Sequence, residues 1–98
     1  MEVEFDDPDL DRLETDPNFT AGQDASTIKG FRKVVQAIRA APDERDFYAM
    51  KSLHFEKLKG DRSHQHSLRL TIKWRLIVEL EGKAPNKAVR IKGIEDYH

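Results

Sequence analysis

The sequence has no cysteine. That excludes a disulfide scaffold, a thiolate metal site and a cysteine nucleophile. It has no long apolar run either. The longest purely aliphatic stretch is Leu76-Ile77-Val78, far short of the roughly 18 residues of a membrane-spanning helix. The chain opens Met-Glu-Val-Glu, acidic where a secretory signal is basic. The expectation is therefore a reduced, cytoplasmic setting with no membrane partner. Net charge is nearly absent, at −1, whereas proteins that meet bare nucleic acid are usually basic overall. An anionic partner would have to be met by one face.

What is present suffices for a core. Leu, Ile, Val and Phe number 24 of 98 residues, above the roughly 20% below which chains tend to stay disordered. The length suits a single domain, residues 1–98. The near-zero charge hides two opposed halves. Residues 1–24 carry nine acids against one base, a net of −8, and residues 25–98 carry a net of +7. Between Lys51 and Val78 lie seven bases, two acids and three of the four histidines. Either the halves neutralise each other across the surface, or the basic one faces an anion.

Val3 and Phe5 alternate with acids, which predicts a short strand. Asp7-Pro8 then starts a helix, with Asp as N-cap and Pro at the first position; Leu10 and Leu13 form its apolar side. Asp24 or Ser26 caps a second helix with an apolar stripe of Ile28, Phe31, Val34, Val35 and Ile38. Lys29, Arg32, Lys33 and Arg39 lie off that stripe, as a solvated face. Gly30 weakens the helix and signals close packing. Ala41-Pro42 ends it, and a turn or two of helix follows within 43–50. The remainder reads as strands over 53–59, 66–70, 74–80 and 88–97, separated by turn residues such as Lys59-Gly60-Asp61-Arg62. The order predicts an α+β fold: a small, mostly antiparallel sheet with helices packed on one face.

The middle hairpin constrains its own register. Leu68, Leu70, Trp74, Leu76, Val78 and Leu80 share the core face if Leu68 pairs with Leu76. The turn is then Thr71-Ile72-Lys73, which offers no Gly or Asn for a positive φ. The same register sets Arg69 opposite Arg75 on the other face. Like charges so placed repel, unless they splay into water or hold an anion between them. On the last strand, strict alternation places Arg90, Lys92, Asp96 and His98 on the polar face. A bulge at Gly93 would reverse that phase and turn Tyr97 to the basic side; Ile94, apolar in the wrong phase, argues for the reversal. His64 and His66 have a spacing that can chelate zinc from a strand, but no third ligand is fixed. His66 fits better as an aromatic at the core edge.

Leu58-Lys59-Gly60-Asp61-Arg62, the later Trp74-Arg75-Leu76, and the ending Glu95-Asp96-Tyr97-His98 together resemble the HigB branch of the RelE/ParE toxin superfamily. The resemblance is strong over roughly 53–98 and extends to the order of elements before that. It implies a toxin of a type II toxin-antitoxin system: a ribosome-dependent mRNA endoribonuclease, or mRNA interferase, with a RelE-like fold. Its substrate would be mRNA in the ribosomal A site, beside 16S rRNA. A cognate helix-turn-helix antitoxin (HigA-like) would hold it inactive, and the free toxin would be a monomer. The reaction would need no metal and no cofactor. One group takes the 2′-hydroxyl proton, cations stabilise the phosphorane, and an acid protonates the 5′-oxygen.

The resemblance carries Asp96, Tyr97 and His98 to the catalytic C-terminus, with His98 or Asp96 in proton transfer and Tyr97 orienting or stacking on a base. It carries Arg75, and less directly Lys57, Lys59 and Arg62, to phosphate contacts, with Arg69 helping. Family members often have a histidine where Glu56 stands here. Either His54, on the same strand face, or Glu56 would fill that role. A ParE-like toxin that binds a protein such as gyrase without cutting RNA is the alternative.

Overall fold

The computed structural model describes residues 1–83 and 86–96. Its strands are β1 (Glu2–Phe5), β2 (Glu56–Lys57), β3 (His66–Arg69), β4 (Trp74–Glu81) and β5 (Ala88–Asp96). Its helices are α1 (Pro8–Thr15), α2 (Ala25–Ala40) and α3 (Arg45–Ala49), with single 3-10 turns at Lys51–Leu53 and Gly60–Arg62. The five strands form one sheet in the order β1-β5-β4-β3-β2. All neighbours are antiparallel except β1 and β5. The α+β architecture is the one expected.

Local chemistry sets the helix ends. Asp7 accepts from the Asp9 amide at 2.9 Å with Pro8 behind it, and Asp24 accepts from Thr27 N at 2.8 Å. Each such cap is worth about 1 kcal/mol. Of the two candidate caps for α2, Asp24 serves, and Ser26 donates its hydroxyl to that carboxylate. Leu10 and Leu13 of α1, and Phe31, Val34, Val35 and Ile38 of α2, are buried against Leu68, Leu76, Val78, Val89 and Ile91 of the sheet. Ile28, Leu70, Leu80 and Ile94 pack at the margin. Trp74 shares the core face in register but stands half-buried at its edge, with the Lys73 ammonium 5.2 Å from its ring centre. Two of the four α2 bases are not simply solvated. Arg32 donates to the Leu13 and Asp16 carbonyls at the end of α1, and Arg39 grips Glu14 through two bonds of 2.7 Å.

The hairpin has the expected register, Leu68 with Leu76 and Arg69 with Arg75. Its turn needs no positive φ because the Thr71 hydroxyl oxygen accepts from the amides of Lys73 and Trp74, at 3.2 and 3.0 Å. The strand expected over 53–59 is reduced to Glu56–Lys57. Residues 51–53 coil into a 3-10 turn and His54 sits at φ +46°, a conformation that cannot continue a strand. The strand expected over 66–70 closes at Arg69.

The bulge on β5 is real. Ile77 pairs with Gly93 but Val78 pairs with Ile91, so Lys92 is the extra residue. The phase reverses there, and Ile94 packs against the core opposite Leu76.

His66 stacks on Phe55, ring centres 4.7 Å apart and planes 5° from parallel. Burial, and then Lys57, hold its pKa below the ordinary 6.5. The unfolded chain therefore takes up this proton first, and the contribution to stability is complete above pH 6.5 and lost as pH falls below it. His66→Phe should stay folded and show a smaller drop in melting temperature between pH 7.5 and 5.5 than wild type. An unchanged drop would remove His66 as its source.

Candidate functional site

The helix-free face of the sheet divides into two regions. Across β1, β5 and β4 runs an ion-pair lattice. Arg90 meets Glu4 (2.6 Å), Asp6 (2.9 Å) and Glu81, and Lys92 meets Asp6 and lies 3.9 Å from Glu79. Asp6, then Glu81, push the Arg90 pKa above its ordinary value. Two acids of the first 24 residues, Glu4 and Asp6, thus pair with Arg90 and Lys92 of the last strand, so part of the charge asymmetry is spent inside the molecule.

The other region is a groove of about 340 Å³ over β2, β3, β4 and the end of β5. It is lined by Glu56, Leu58, Arg62, Ser67, Arg75, Ile77, Glu95 and Asp96. Alternation brings Glu56, Ser67 and Ile77 into one row across the sheet, and Arg69, Arg75 and Glu95 into the next. The bulge is decisive here: it sets Glu95 beside Arg75 and Asp96 in register with Trp74.

Arg75 is buried, 7% exposed. Its Nη1 donates to the His54 carbonyl at 3.1 Å and to Ser67 Oγ at 3.4 Å. The two facing arginines therefore do not both splay into water: Arg75 folds under the loop and Arg69 Nη1 lies 3.3 Å from His54 Nε2. For Arg69 to donate, Nε2 must carry the lone pair, which puts the ring proton on Nδ1. His54 thus joins the arginine pair through both its backbone and its ring.

Arg62 reaches over the groove from the 3-10 turn. Its Nε donates to Gln65 Oε1 (3.0 Å), and Nη1 and Nη2 donate to the two Glu95 oxygens (3.0 and 2.7 Å). That side-chain bond to Glu95 raises the Arg62 pKa.

Of the residues singled out from the sequence, Asp96, Arg75 and Arg62 line one groove, and His54 and Arg69 adjoin it. Glu56, the rival of His54, lines the groove itself. Lys59 opens the turn that carries Arg62 and is exposed. Lys57 pairs with His66, so alternation places it on the opposite face, toward the helices. Tyr97 and His98 lie outside the described residues. Among the described residues no group of three or more His, Asp or Glu side chains is placed to hold a metal. No described helix is long and apolar enough to cross a membrane. Ser67 and Glu95 were missed in the sequence; their places follow from register, and for Glu95 from the bulge.

No family model matches the sequence, and no curated protein matches it. Among solved structures, a YoeB/ParE toxin from Agrobacterium tumefaciens superimposes with a TM-score of 0.68. It has 16% sequence identity, over 100% of both chains. At that identity the likeness establishes a shared fold, the α+β toxin fold expected above.

Proposed function

We propose that this chain is the toxin of a type II toxin-antitoxin system and an mRNA endoribonuclease of the HigB kind. The observation that carries the reading is the groove: a buried arginine at its base, a second arginine over it, and Asp96 at its rim on the strand leading into Tyr97-His98. The toxin fold shared with the YoeB/ParE structure supports it.

The roles follow from the chemistry. Arg75 is fixed in advance by the His54 carbonyl and Ser67, so it offers charge to a phosphorane without reorganising. Arg62, planar and always charged, suits the nonbridging oxygens. Glu56, or His54 once Arg69 releases its Nε2, would accept the 2′-hydroxyl proton. His98 or Asp96 would supply the proton to the 5′-oxygen, with Tyr97 stacking on a base. The substrate is mRNA in the ribosomal A site, and a helix-turn-helix antitoxin is the partner that silences it.

The test is a purified translation mixture with end-mapped mRNA. Wild type should cut within ribosome-bound message, and His98→Ala and Asp96→Ala should lose at least about 100-fold in rate. Intact mRNA together with arrested growth would instead indicate a protein target of the gyrase type.

A further inference from the structure

We infer that Glu95 is a built-in competitor for the substrate phosphate, an inference that rests on the reading of the groove as the RNA site. Both Glu95 oxygens are bound fork-to-fork by Arg62, at 3.0 and 2.7 Å. Register places the same residue beside Arg75 across β4 and β5. A planar anion held bidentately by one guanidinium, next to a second, occupies the position a phosphodiester would take. In the free protein the carboxylate fills it, and Arg62 has its remaining edge occupied by Gln65.

The exchange is cheap. Arg62 and Glu95 are each close to half exposed, 44% and 47%, so water screens their attraction. The turn carrying Arg62 buries no side chain. RNA displaces Glu95 and takes over Arg62, while the carboxylate turns out to solvent. The ion pair keeps Arg62 neutralised until a phosphate chain with contacts beyond this one arrives, which disfavours stray anions. Glu95 therefore sets the affinity of the site without joining the chemistry.

The experiment uses programmed ribosomes and single-turnover cleavage at rising toxin concentration, which separates half-saturation from maximal rate. Glu95→Gln keeps the shape and removes the charge. It should lower the half-saturating concentration roughly 2- to 5-fold, the scale of an exposed ion pair, with the maximal rate unchanged. In an Arg62→Ala background the same substitution should give no gain, since nothing is left to release. An equal gain in that background would make Glu95 a general negative charge and overturn the exchange. An unchanged half-saturation in Glu95→Gln, with wild type cutting normally, would overturn it while leaving the RNA reading standing. A collapse of the maximal rate in Glu95→Gln would overturn it by placing the carboxylate in the chemistry. Failure of every form, wild type included, to cut would overturn the RNA reading, and this inference with it.

Discussion

Under the proposed function, Arg75→Ala is expected to cut RNA cleavage severely and to destabilise the fold at once, and the two losses can be told apart. Arg75 is the only charged side chain among the buried residues described. Its guanidinium ties the His54 carbonyl and Ser67 together across 21 and 8 residues of sequence. Removing it leaves that carbonyl without this donor, at a residue already in the left-handed region. The cost is about 1–3 kcal/mol, and at this size each kcal/mol lowers the melting temperature by roughly 4–8 °C. The folded fraction at growth temperature still stays high for a domain of ordinary stability. Loss of a fixed cation from a phosphorane costs far more, about 100- to 1000-fold in rate. Circular dichroism gives the folded fraction, and cleavage per folded molecule gives the chemistry. Arg75→Lys should recover charge but not the planar guanidinium fork that suits a phosphate, and so fall between. Normal cleavage per folded molecule in Arg75→Ala would reduce Arg75 to a structural strut.

The hairpin could be read from the sequence so far and no further. Period-two alternation gave the Leu68–Leu76 and Arg69–Arg75 pairs because one face had to be buried. It could not show which arginine goes under the loop. That depends on His54, whose left-handed backbone turns its carbonyl toward Arg75 and ends the strand expected to begin at residue 53. A conformation imposed by tertiary contacts leaves no periodic trace. The missing turn glycine was misleading for a related reason. Thr71 supplies a side-chain acceptor in its place, a local chemistry that residue preferences register only weakly.

The last strand was legible in kind and displaced in detail. Ile94 in the wrong phase and Gly93 beside it signalled a bulge, which the structure has, with Lys92 as the extra residue. The β5 side of the groove follows from that one insertion, because it decides that Glu95 rather than Asp96 stands next to Arg75. Lys57 and Arg62 show the limit of a motif. They are close neighbours in sequence and carry the same charge, yet one faces the helices and the other the groove. The acidic N-terminal segment illustrates a limit of charge counting. Glu4, Asp6 and Glu14 are consumed by Arg90, Lys92 and Arg39, so half-by-half totals overstate what remains for a ligand.

Gly30→Ala should destabilise the protein although it improves the helix. In an exposed helix the change gains about 1 kcal/mol. Here a Cβ would lie less than 3.0 Å from the Leu70 carbonyl oxygen. That oxygen belongs to backbone at the end of β3 and cannot rotate aside, so α2 must shift off the hairpin or the hairpin must open. Overpacking of this kind costs about 1–3 kcal/mol, and rigid backbone puts it at the upper end, leaving a net loss of roughly 2 kcal/mol. Melting should fall by about 8–16 °C. Gly93→Ala is the matched control, since a Cβ there meets nothing within 4 Å and the effect should stay within about 0.5 kcal/mol. Because Leu70 adjoins Arg69, and Arg69 contacts His54, the displaced hairpin should also loosen the arginine pair, and Gly30→Ala should lose cleavage beyond its folded fraction. A Gly30→Ala protein as stable as wild type would mean that α2 and the hairpin do not meet as closely as the Leu70 carbonyl indicates.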